Sequence, residues 1–469
     1  MCMKLLPRFW GVFGWGRAVL LLGLLSVSSG LCAQSQLALL QCLDLAVENN
    51  IQVKISENSV SNAEITYVQK KFDFLPNVSM NLPLNKSFGN SADIFTQQIA
   101  VSPWTSQPSI VASLVAFRGF AKWNDLKTAQ YTLTANQYSL EDLKNDIRLN
   151  TALAFFQVLF ASDNLKIGKA RLDLLEKQLA NIQMQLNAGA KTQGDVYTLQ
   201  AQLASERVNA VTLQNTYDRS LLDLVLTLNL DPVEGYEIVR PDFVDGEVPE
   251  LEALDAVFQS ARLSNPGVRQ QEFRVLAAKY AIKSARAAYF PTLNVTFGLG
   301  TFYSSNAKET VLDTILFDLV PLYTYGDQIP LRTQFGDNFG KTLGFSLTVP
   351  IFNRMLTRQN HRLSKLNYNT AELNVKAEEL SLYRSIQQAH LDAKAADAKY
   401  TATLAQNESL NESLRYAQAR YDAGMLDFLA YLEVLNNHTR AEIEQVQAQY
   451  DRILKRKIID LYQGKPLSF

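Results

Sequence analysis

The chain contains two stretches of about seventy residues that carry almost no helix-breaking residue. Between Gly119 and Ala188 there is no proline and one internal glycine, Gly168, and residues 353–423 contain neither residue type. At a rise of 1.5 Å per residue, seventy residues form a helix about 100 Å long, far longer than the helices of globular proteins. Small residues recur along both stretches, so neighbouring helices can approach closely. The sequence therefore predicts very long helices that bury one another.

An internal repeat relates the two halves of the chain. "LDLAVENNIQV" matches "FQSARLSNPGV", and Pro76 of "FLPNVSM" lies opposite Pro291 of "YFPTLNV", both at an offset of 215 residues. Further on, Gly189 of "LNAGA" lies opposite Gly424 of "YDAGM", at an offset of 235 residues. The second copy therefore carries one insertion of about twenty residues. Because insertions are tolerated at exposed loop tips, we expect a surface loop there.

The N-terminus has the pattern of an export signal. Residues 1–33 combine three basic residues and no acid with the apolar run "AVLLLGLLSV" and a small final residue. This pattern predicts a signal peptide over 1–33. Lipidation of Cys32 is the competing interpretation, but Leu31 before it is bulky where a lipoprotein signal has a small residue. Beyond this segment the only cysteine is Cys42, which excludes a disulfide framework.

The segments beside the insertion alternate between apolar and small polar residues. "PNVSMNLPLN", "PTLNVTFGLG" and "LGFSLTVPI" alternate cleanly, and "SIVASLVAF" is apolar or small on both faces. We predict strands at about 75–88, 109–117, 291–303 and 342–352, each with the length and single apolar face of a transmembrane β-strand. One such hairpin would also fit a soluble core. Two of them in an exported chain favour membrane strands.

These observations predict a domain order. We expect a signal peptide at 1–33, a first repeat at 34–235, a second repeat at 253–465 and a tail at 466–469. The proline- and acid-rich segment 236–252 reads as the linker between the repeats.

Four transmembrane strands cannot close a barrel, and lipid leaves no sheet edge unpaired. The chain must therefore share a barrel with other copies of itself. Two copies would give eight strands filled by side chains, and three would give twelve strands around a lumen.

Residues 37–465 contain the duplicated helix starts, the "LP" and "FP" strand entries, and the "Y-x-A-G" turn followed by "YLEVL". In these features the chain resembles the TolC family of outer-membrane efflux and secretion channels. The resemblance implies an α+β membrane protein. Its duplicated helix–β-hairpin–long helix repeat would form, as a homotrimer, a twelve-stranded transmembrane β-barrel continuous with a long periplasmic α-helical barrel. It also implies the outer membrane of a Gram-negative bacterium as the location.

The resemblance further implies an exit duct of a tripartite efflux or type I secretion system. Its partners would be a periplasmic adaptor (membrane fusion) protein and an inner-membrane transporter of the RND, ABC or MFS type. Because pump and adaptor select the cargo, the substrate class stays open. The alternative is a periplasmic coiled-coil scaffold without channel activity, which would not need four amphipathic strands.

The resemblance places the two glycine turns at the periplasmic entrance. The adaptor-contact positions implied at the helix tips are Leu186, Gly189, Lys191, Gly424 and Leu426. The implied gate residues are Asp195, Tyr421, Asp427 and Glu433. Two positions depart from the family, because Leu426 stands where an arginine is usual and Ala430 where an acid is usual. An acid just after a helix-turning glycine also commonly caps the new helix, which is the competing interpretation of Asp195 and Asp427. Glu433 lies too deep in its helix for a cap and is interpreted as facing the lumen or solvent.

Sequence motifs and charge give no support for an enzyme or a nucleic-acid-binding protein. The three histidines lie in helical stretches without a ligand partner four residues on, and no P-loop, G-x-S-x-G or H-E-x-x-H motif occurs. A net charge of −1 gives no reason to expect nucleic acid. We therefore expect no enzymatic activity, no cofactor and no metal site.

Overall fold

The computed structural model describes residues 35–86, 88, 90–92, 99–101, 103–231, 235–241, 251–316 and 320–465. The predicted signal peptide (1–33) and tail (466–469) lie outside the described residues, as do residues 242–250 of the predicted linker. The described chain is mostly helical, with a smaller share of sheet. None of its described helices combines the length and the hydropathy needed to cross a membrane.

The long helices form two matching sets. The helices are α1 (Leu39–Asn49), α2 (Ile51–Phe72), α3 (Ala121–Asn187), α4 (Gln193–Thr227), α5 (Leu254–Ser264), α6 (Pro266–Ala287), α7 (Leu331–Asp337), α8 (Leu356–Asp422) and α9 (Phe428–Tyr462). The first four have 11, 22, 67 and 35 residues, and α5, α6, α8 and α9 repeat those lengths. The starts of α5 and α1 (254 and 39) differ by 215, and those of α8 and α3 (356 and 121) by 235, the two offsets of the sequence repeat.

The described strands have two to ten residues. They are β1 (Ser35–Leu37), β2 (Asn77–Asn81), β3 (Leu84–Lys86), β4 (Asn90–Ala92), β5 (Ile99–Val101), β6 (Trp104–Ser106), β7 (Ser109–Arg118), β8 (Tyr236–Ile238), β9 (Thr292–Gly300), β10 (Tyr303–Ser304), β11 (Lys308–Leu316), β12 (Val320–Gln328) and β13 (Gly340–Thr348). The predicted strand 75–88 is divided into β2 and β3 by Pro83, which has no N–H for a ladder hydrogen bond. The predicted strand 342–352 ends two residues before Pro350. In the second copy, the segment between β10 and β13, which is the longer by the insertion, contains β11, β12 and α7.

The central sheet is antiparallel and has the order β13–β9–β7–β2. β13 pairs with β9 in an unbroken register, in which Leu343 lies opposite Phe297. β7 pairs with β9 with one irregularity between Val115 and Phe117. β2 and β13 are the two edges of this sheet.

The four helices that connect to the strands of the central sheet lie side by side in the same order as those strands. α2 packs on α3, α3 on α6, and α6 on α8. These four helices connect directly to β2, β7, β9 and β13, respectively. Stacked rings join α3 to α6, with Tyr131 5.5 Å from Tyr280 and Tyr138 5.4 Å from Phe273, measured between ring centroids. The sheet and the helical layer are therefore one continuous four-element wall.

Asparagine caps separate the shorter helices within each repeat. The Asn50 side chain accepts from the Gln52 amide at 2.8 Å, and the Asn265 side chain accepts from the Val268 amide at 3.0 Å. Such a cap satisfies backbone donors that a new helix start leaves unpaired. α2 and α6 therefore begin as new helices, and a single capping residue separates each from the helix before it.

The apolar core lies between the helices away from the sheet. One cluster joins α1, α3, α4 and α9 around Phe155 and Val158, and a second lies nearer the far end of α3 around Leu175 and Leu199. Beside the first cluster, the buried Asp163 carboxylate accepts from the Tyr450 hydroxyl at 2.6 Å and from Arg240 at 3.2 Å. β1 and β8 form a parallel pair next to this region.

The junctions between sheet and long helix are also duplicated. Gly119 and Phe120 precede α3 with φ of 56° and 62°, and Arg354 and Met355 precede α8 with the same two values. Only the first junction uses glycine, although all four residues are in the left-handed region. A Cβ atom at Gly119 would lie 2.7 Å from the Ala287 carbonyl oxygen, so glycine is required there by space as well as by φ.

Candidate gate at the helix tips

Two turns of identical construction lie at the ends of the long helices, farthest along them from the sheet. After α3, the Ala190 amide donates to the Gln185 carbonyl at 2.8 Å, with Gly189 at a φ of 75°. After α8, the Met425 amide donates to the Arg420 carbonyl at 2.8 Å, with Gly424 at a φ of 72°. These bonds satisfy the last helix carbonyls, and the left-handed residue reverses the chain. The sequence pattern "A-G" therefore marks both tips.

The first predicted gate acid is part of a helix cap. The backbone amide and the hydroxyl of Thr192 each donate to the Asp195 carboxylate at 2.9 Å, and the Asp195 amide donates back to the Thr192 hydroxyl. This reciprocal arrangement is a capping box at the start of α4. The hydrogen bonds from Thr192 hold the pKa of Asp195 below its ordinary value, so the carboxylate is charged at neutral pH.

The second predicted gate acid is the cap of the matching helix. Asp427 immediately precedes α9, and its carboxylate accepts from the Ala430 amide at 2.8 Å. Asp427 is exposed, as is Glu433 in the second turn of α9. Capping and exposure to a lumen are compatible, because the cap uses one oxygen of each carboxylate.

Three aromatic rings and a lysine connect the two tips, a group that we call the tip clasp (Lys191, Tyr421, Phe428 and Tyr431). Tyr421 stacks on Tyr431 with centroids 5.1 Å apart and lies 5.8 Å from Phe428. The Lys191 ammonium, from the other turn, lies 5.3 Å from the Tyr421 ring centroid. The buried Tyr431 hydroxyl accepts from Gln178 on α3 at 3.0 Å. The clasp therefore fastens the α8–α9 tip to the α3–α4 tip.

Tyr421 lies close to the charge of Asp195 without sharing its hydrogen bonds. Partial burial raises the pKa of Tyr421, and the negative charges of Asp195 and Asp422 raise it further. In the described part of the chain, Asp195 is hydrogen-bonded to Thr192. Tyr421 is held by the contacts of its ring with Tyr431, Phe428 and Lys191.

The remaining predicted tip residues divide into packed and exposed positions. Leu186 and Leu426 are half-buried and pack against the second core cluster, beside Tyr421. Gly189 and Gly424 are exposed, with nothing within 4 Å of a Cβ atom built on either. Leu426, at the position where the family resemblance implied an arginine, therefore adds an apolar contact at the tip.

Several tip residues were not identified from the sequence. Phe428 and Tyr431 belong to the clasp, and Gln178 donates to the Tyr431 hydroxyl. Large apolar side chains at the tip are exposed at Met184, Tyr197, Met425 and Leu429. Phe428 and Tyr431 have the i, i+3 spacing of residues on one helix face, which was a usable signal. The contact with α3 carried no sequence signal. Within the described residues, no group of three or more His, Cys, Asp or Glu is placed to hold a metal ion.

Comparisons with known proteins agree on one family. The model of the family described as "Outer membrane efflux protein" matches residues 42–230 and 257–463. "Outer membrane protein TolC" of Escherichia coli (strain K12) is 23% identical over 346 residues, which are 72% of this chain and 65% of that protein. The alignment thus spans less than two thirds of that relative. "Outer membrane efflux protein BepC" of Brucella suis biovar 1 is 21% identical over 437 residues, 93% of this chain and 87% of that protein.

A solved structure extends the agreement to the fold. The Campylobacter jejuni CmeC outer membrane channel superimposes with a TM-score of 0.72 at 18% identity, over 91% of this chain and 85% of that one. The matched family and BepC are described as outer membrane efflux proteins, CmeC as an outer membrane channel and TolC as an outer membrane protein. The chain is therefore located in the outer membrane of a Gram-negative bacterium. Since the family model matches most of the sequence, in one segment for each repeat, the chain belongs to the outer membrane efflux protein family.

Proposed function

We propose that the chain is the outer-membrane exit duct of a tripartite efflux or type I secretion system. In this proposal three copies form one conduit that is gated at the periplasmic helix tips. The observation that carries it is the central sheet, which has an exposed apolar face and two open edges. The proposed repeats are residues 34–235 and 253–465, one helix–hairpin–helix unit each.

The sheet face fits lipid rather than water. Its edge strands expose large apolar side chains at alternate positions, with Phe345 of β13 69% exposed and Met80 of β2 64% exposed. A contiguous exposed apolar face of this extent is a binding surface, and the hydrocarbon of a membrane satisfies it. In hydrocarbon, unpaired edge groups are strongly unfavourable, so both edges need partners.

The two edges are complementary to each other. Successive strands of the sheet are antiparallel, so β13 and β2 run in opposite directions. β13 of one copy can therefore continue the antiparallel ladder on β2 of the next copy. Three copies give twelve strands and a lumen, whereas two would give a barrel filled by side chains.

The helical layer supports the same closure. α2 and α8 are the outer members of that layer, and both expose leucine or isoleucine side chains in the single chain. On α2 these are Ile51, Ile55 and Ile65, and on α8 they are Leu363, Leu366, Leu373 and Leu380. Because α2 continues into β2 and β13 continues into α8, closure of the sheet also brings α8 of one copy against α2 of the next. The helices then form a barrel coaxial with the strands.

The gate and the partners follow from this arrangement. The tips, with Gly189, Lys191 and Gly424, are the surface offered to a periplasmic adaptor protein, which links the duct to an inner-membrane transporter. Three copies bring three sets of the acids Asp195, Asp427 and Glu433 to the tip end of the wall, and rings of acid attract cations. We assign the closed state to the tip clasp, with Leu426 in place of a charged lock.

Purification of the chain from the outer membrane tests the proposal. We expect a heat-modifiable trimer in the outer-membrane fraction and cation-selective conductance in planar bilayers. A monomer in the soluble periplasmic fraction would contradict the proposal and support the coiled-coil scaffold.

A further inference from the structure

Along both edges of the sheet, the row of exposed apolar side chains is followed by a lysine at the end farthest from the helices. On β13 the exposed row is Leu347, Phe345 and Leu343, and Lys341 takes the next position of the same alternation. On β2 and β3 the exposed row is Val78, Met80, Leu82 and Leu84, and Lys86 takes the next position. Alternate residues of a strand lie on one face, which places Lys341 on the apolar face of β13. β3 is separate from β2, but it pairs with β6 in the register that β2 keeps with β7, with Asn81 opposite Ser109 and Leu84 opposite Ser106. The alternation therefore continues past Pro83 and places Lys86 on the same face. Both lysines lie at the end of the sheet away from the helices.

Each of these lysines lies beside an exposed aromatic ring. The Lys86 ammonium is 5.5 Å from the centroid of Trp104, its register partner in β6, and Trp104 is 47% exposed. The Lys341 ammonium is 5.9 Å from the centroid of Phe339, which is 51% exposed. An aromatic ring with a basic group at the end of an apolar band is typical of the boundary between hydrocarbon and headgroups.

The two lysines mark the same level of the membrane. Through the sheet register, Leu343 corresponds to Val78, yet the apolar row on β2 and β3 continues six residues beyond Val78 to Leu84. The six-residue shift spans about 20 Å at about 3.3 Å per residue. Barrel strands tilt by about 35–45° and lie about 4.8 Å apart, so three strand steps stagger equal levels by about 10–14 Å. Tilt therefore accounts for half or more of the shift, and the remaining distance of about 6–10 Å is within the combined reach of two long lysine side chains. Lys86 and Lys341 therefore each lie just outside the hydrocarbon.

We propose that each seam between protomers binds a phosphorylated lipid headgroup of the outer leaflet, using Lys341 and Phe339 of one copy and Lys86 and Trp104 of the next. This inference rests on the proposed trimer, because β13 and β2 meet only between copies. Two ammonium groups form charge-assisted hydrogen bonds to phosphate, and the acyl chains lie along the apolar rows below. The rings cover the junction between headgroup and chains.

Lipid retention by purified trimers tests this site. Trimers are incubated in detergent with bisphosphorylated lipid A or with the same lipid after phosphate removal, and bound lipid is counted by native mass spectrometry. We expect up to three phosphorylated molecules per trimer, and about thirtyfold weaker retention of the phosphate-free lipid, since each lysine near an anionic lipid contributes about fivefold. The double substitution Lys86→Gln with Lys341→Gln should reduce retention of the phosphorylated lipid by a similar factor.

Two further variants keep the test specific. Lys86→Arg with Lys341→Arg keeps both charges and should retain the lipid, and Lys127→Gln removes a lysine 5.7 Å from Trp123 on α3 and should change nothing. Equal retention of the two lipids, or normal retention by the double glutamine variant, would overturn the site and leave the lysines as interfacial anchors. If the protein forms conducting trimers that retain both lipids equally, the result contradicts this site alone. If no trimers form, the result contradicts the proposed function as well.

Discussion

Replacing Tyr421 by leucine should release the gate, because the ring of Tyr421 is the centre of the tip clasp. Its stacking on Tyr431 and its contact with Phe428 each contribute about 0.5–1.5 kcal/mol. The Lys191 ammonium over the same ring adds about 0.5–1 kcal/mol. Since leucine keeps part of the packing, we expect a loss of about 2 kcal/mol per protomer, which is about thirtyfold in the equilibrium between fastened and separated tips.

The fraction of time that single channels stay open in planar bilayers measures this shift. Tyr421→Leu should raise the open fraction strongly, and Lys191→Gln should raise it about threefold. Tyr421→Phe keeps the ring and should behave like the unmodified protein. Tyr416→Leu is the matched control, because Tyr416 lies on the same helix and is 64% exposed. If Tyr421→Phe opens the channel as much as Tyr421→Leu does, a hydroxyl hydrogen bond holds the gate and the clasp does not.

Further substitutions test three local parts of the structure. Asp427→Asn should lower the cation preference of single channels, because it removes a carboxylate from the proposed acid ring. It should leave the thermal midpoint unchanged, because asparagine caps a helix as well as aspartate does, whereas Asp427→Ala should cost about 1 kcal/mol. Unchanged cation preference of Asp427→Asn and of Glu433→Gln would argue against an acid-lined entrance. Burial, with Asp146 and Glu378 nearby, raises the pKa of Asp142 to about 6, so the free energy of unfolding decreases as the pH rises from about 4 to 7. Asp142→Asn should add about 1 kcal/mol to that free energy at pH 7.5 after solvent screening, and nothing near pH 4. A gain of equal size at both pH values would contradict the assigned pKa. Arg354→Gly should raise the thermal midpoint, because it relieves about 1 kcal/mol of left-handed strain. At the matching junction, Gly119→Ala should lower the midpoint and the free energy of unfolding, the latter by about 2 kcal/mol or more, because the new Cβ atom meets the Ala287 carbonyl oxygen. Equal effects of the two substitutions would refute the difference between the junctions.

The sequence allowed the helical framework to be predicted because its signals are local. The glycines that follow α3 and α8 lie where the repeat placed them, and α3 lies within the proline-free stretch from Gly119 to Ala188 that predicted a long helix. Capping was the competing interpretation of Asp195 and Asp427, from their positions after the glycines, and both side chains form caps. Spacing and capping are encoded within a few residues of each position.

The sequence did not predict how the elements pack. The position of α6 between α3 and α8 depends on contacts such as that of Tyr131 with Tyr280, which are distant in the chain. The tip clasp was missed for the same reason, since Gln178 and Tyr431 meet only after both hairpins have folded. The division of the first predicted strand at Pro83 was a local signal that the alternating pattern concealed.

The number of strands around the lumen tests the central claim most directly. Cryo-electron microscopy of the purified protein in lipid nanodiscs should show a threefold particle with twelve strands, in which β13 of each copy is hydrogen-bonded to β2 of the next. α8 and α2 should meet below the same seam. A closed sheet of four strands, a particle with another number of copies, or edges that stay unpaired in lipid would contradict the account.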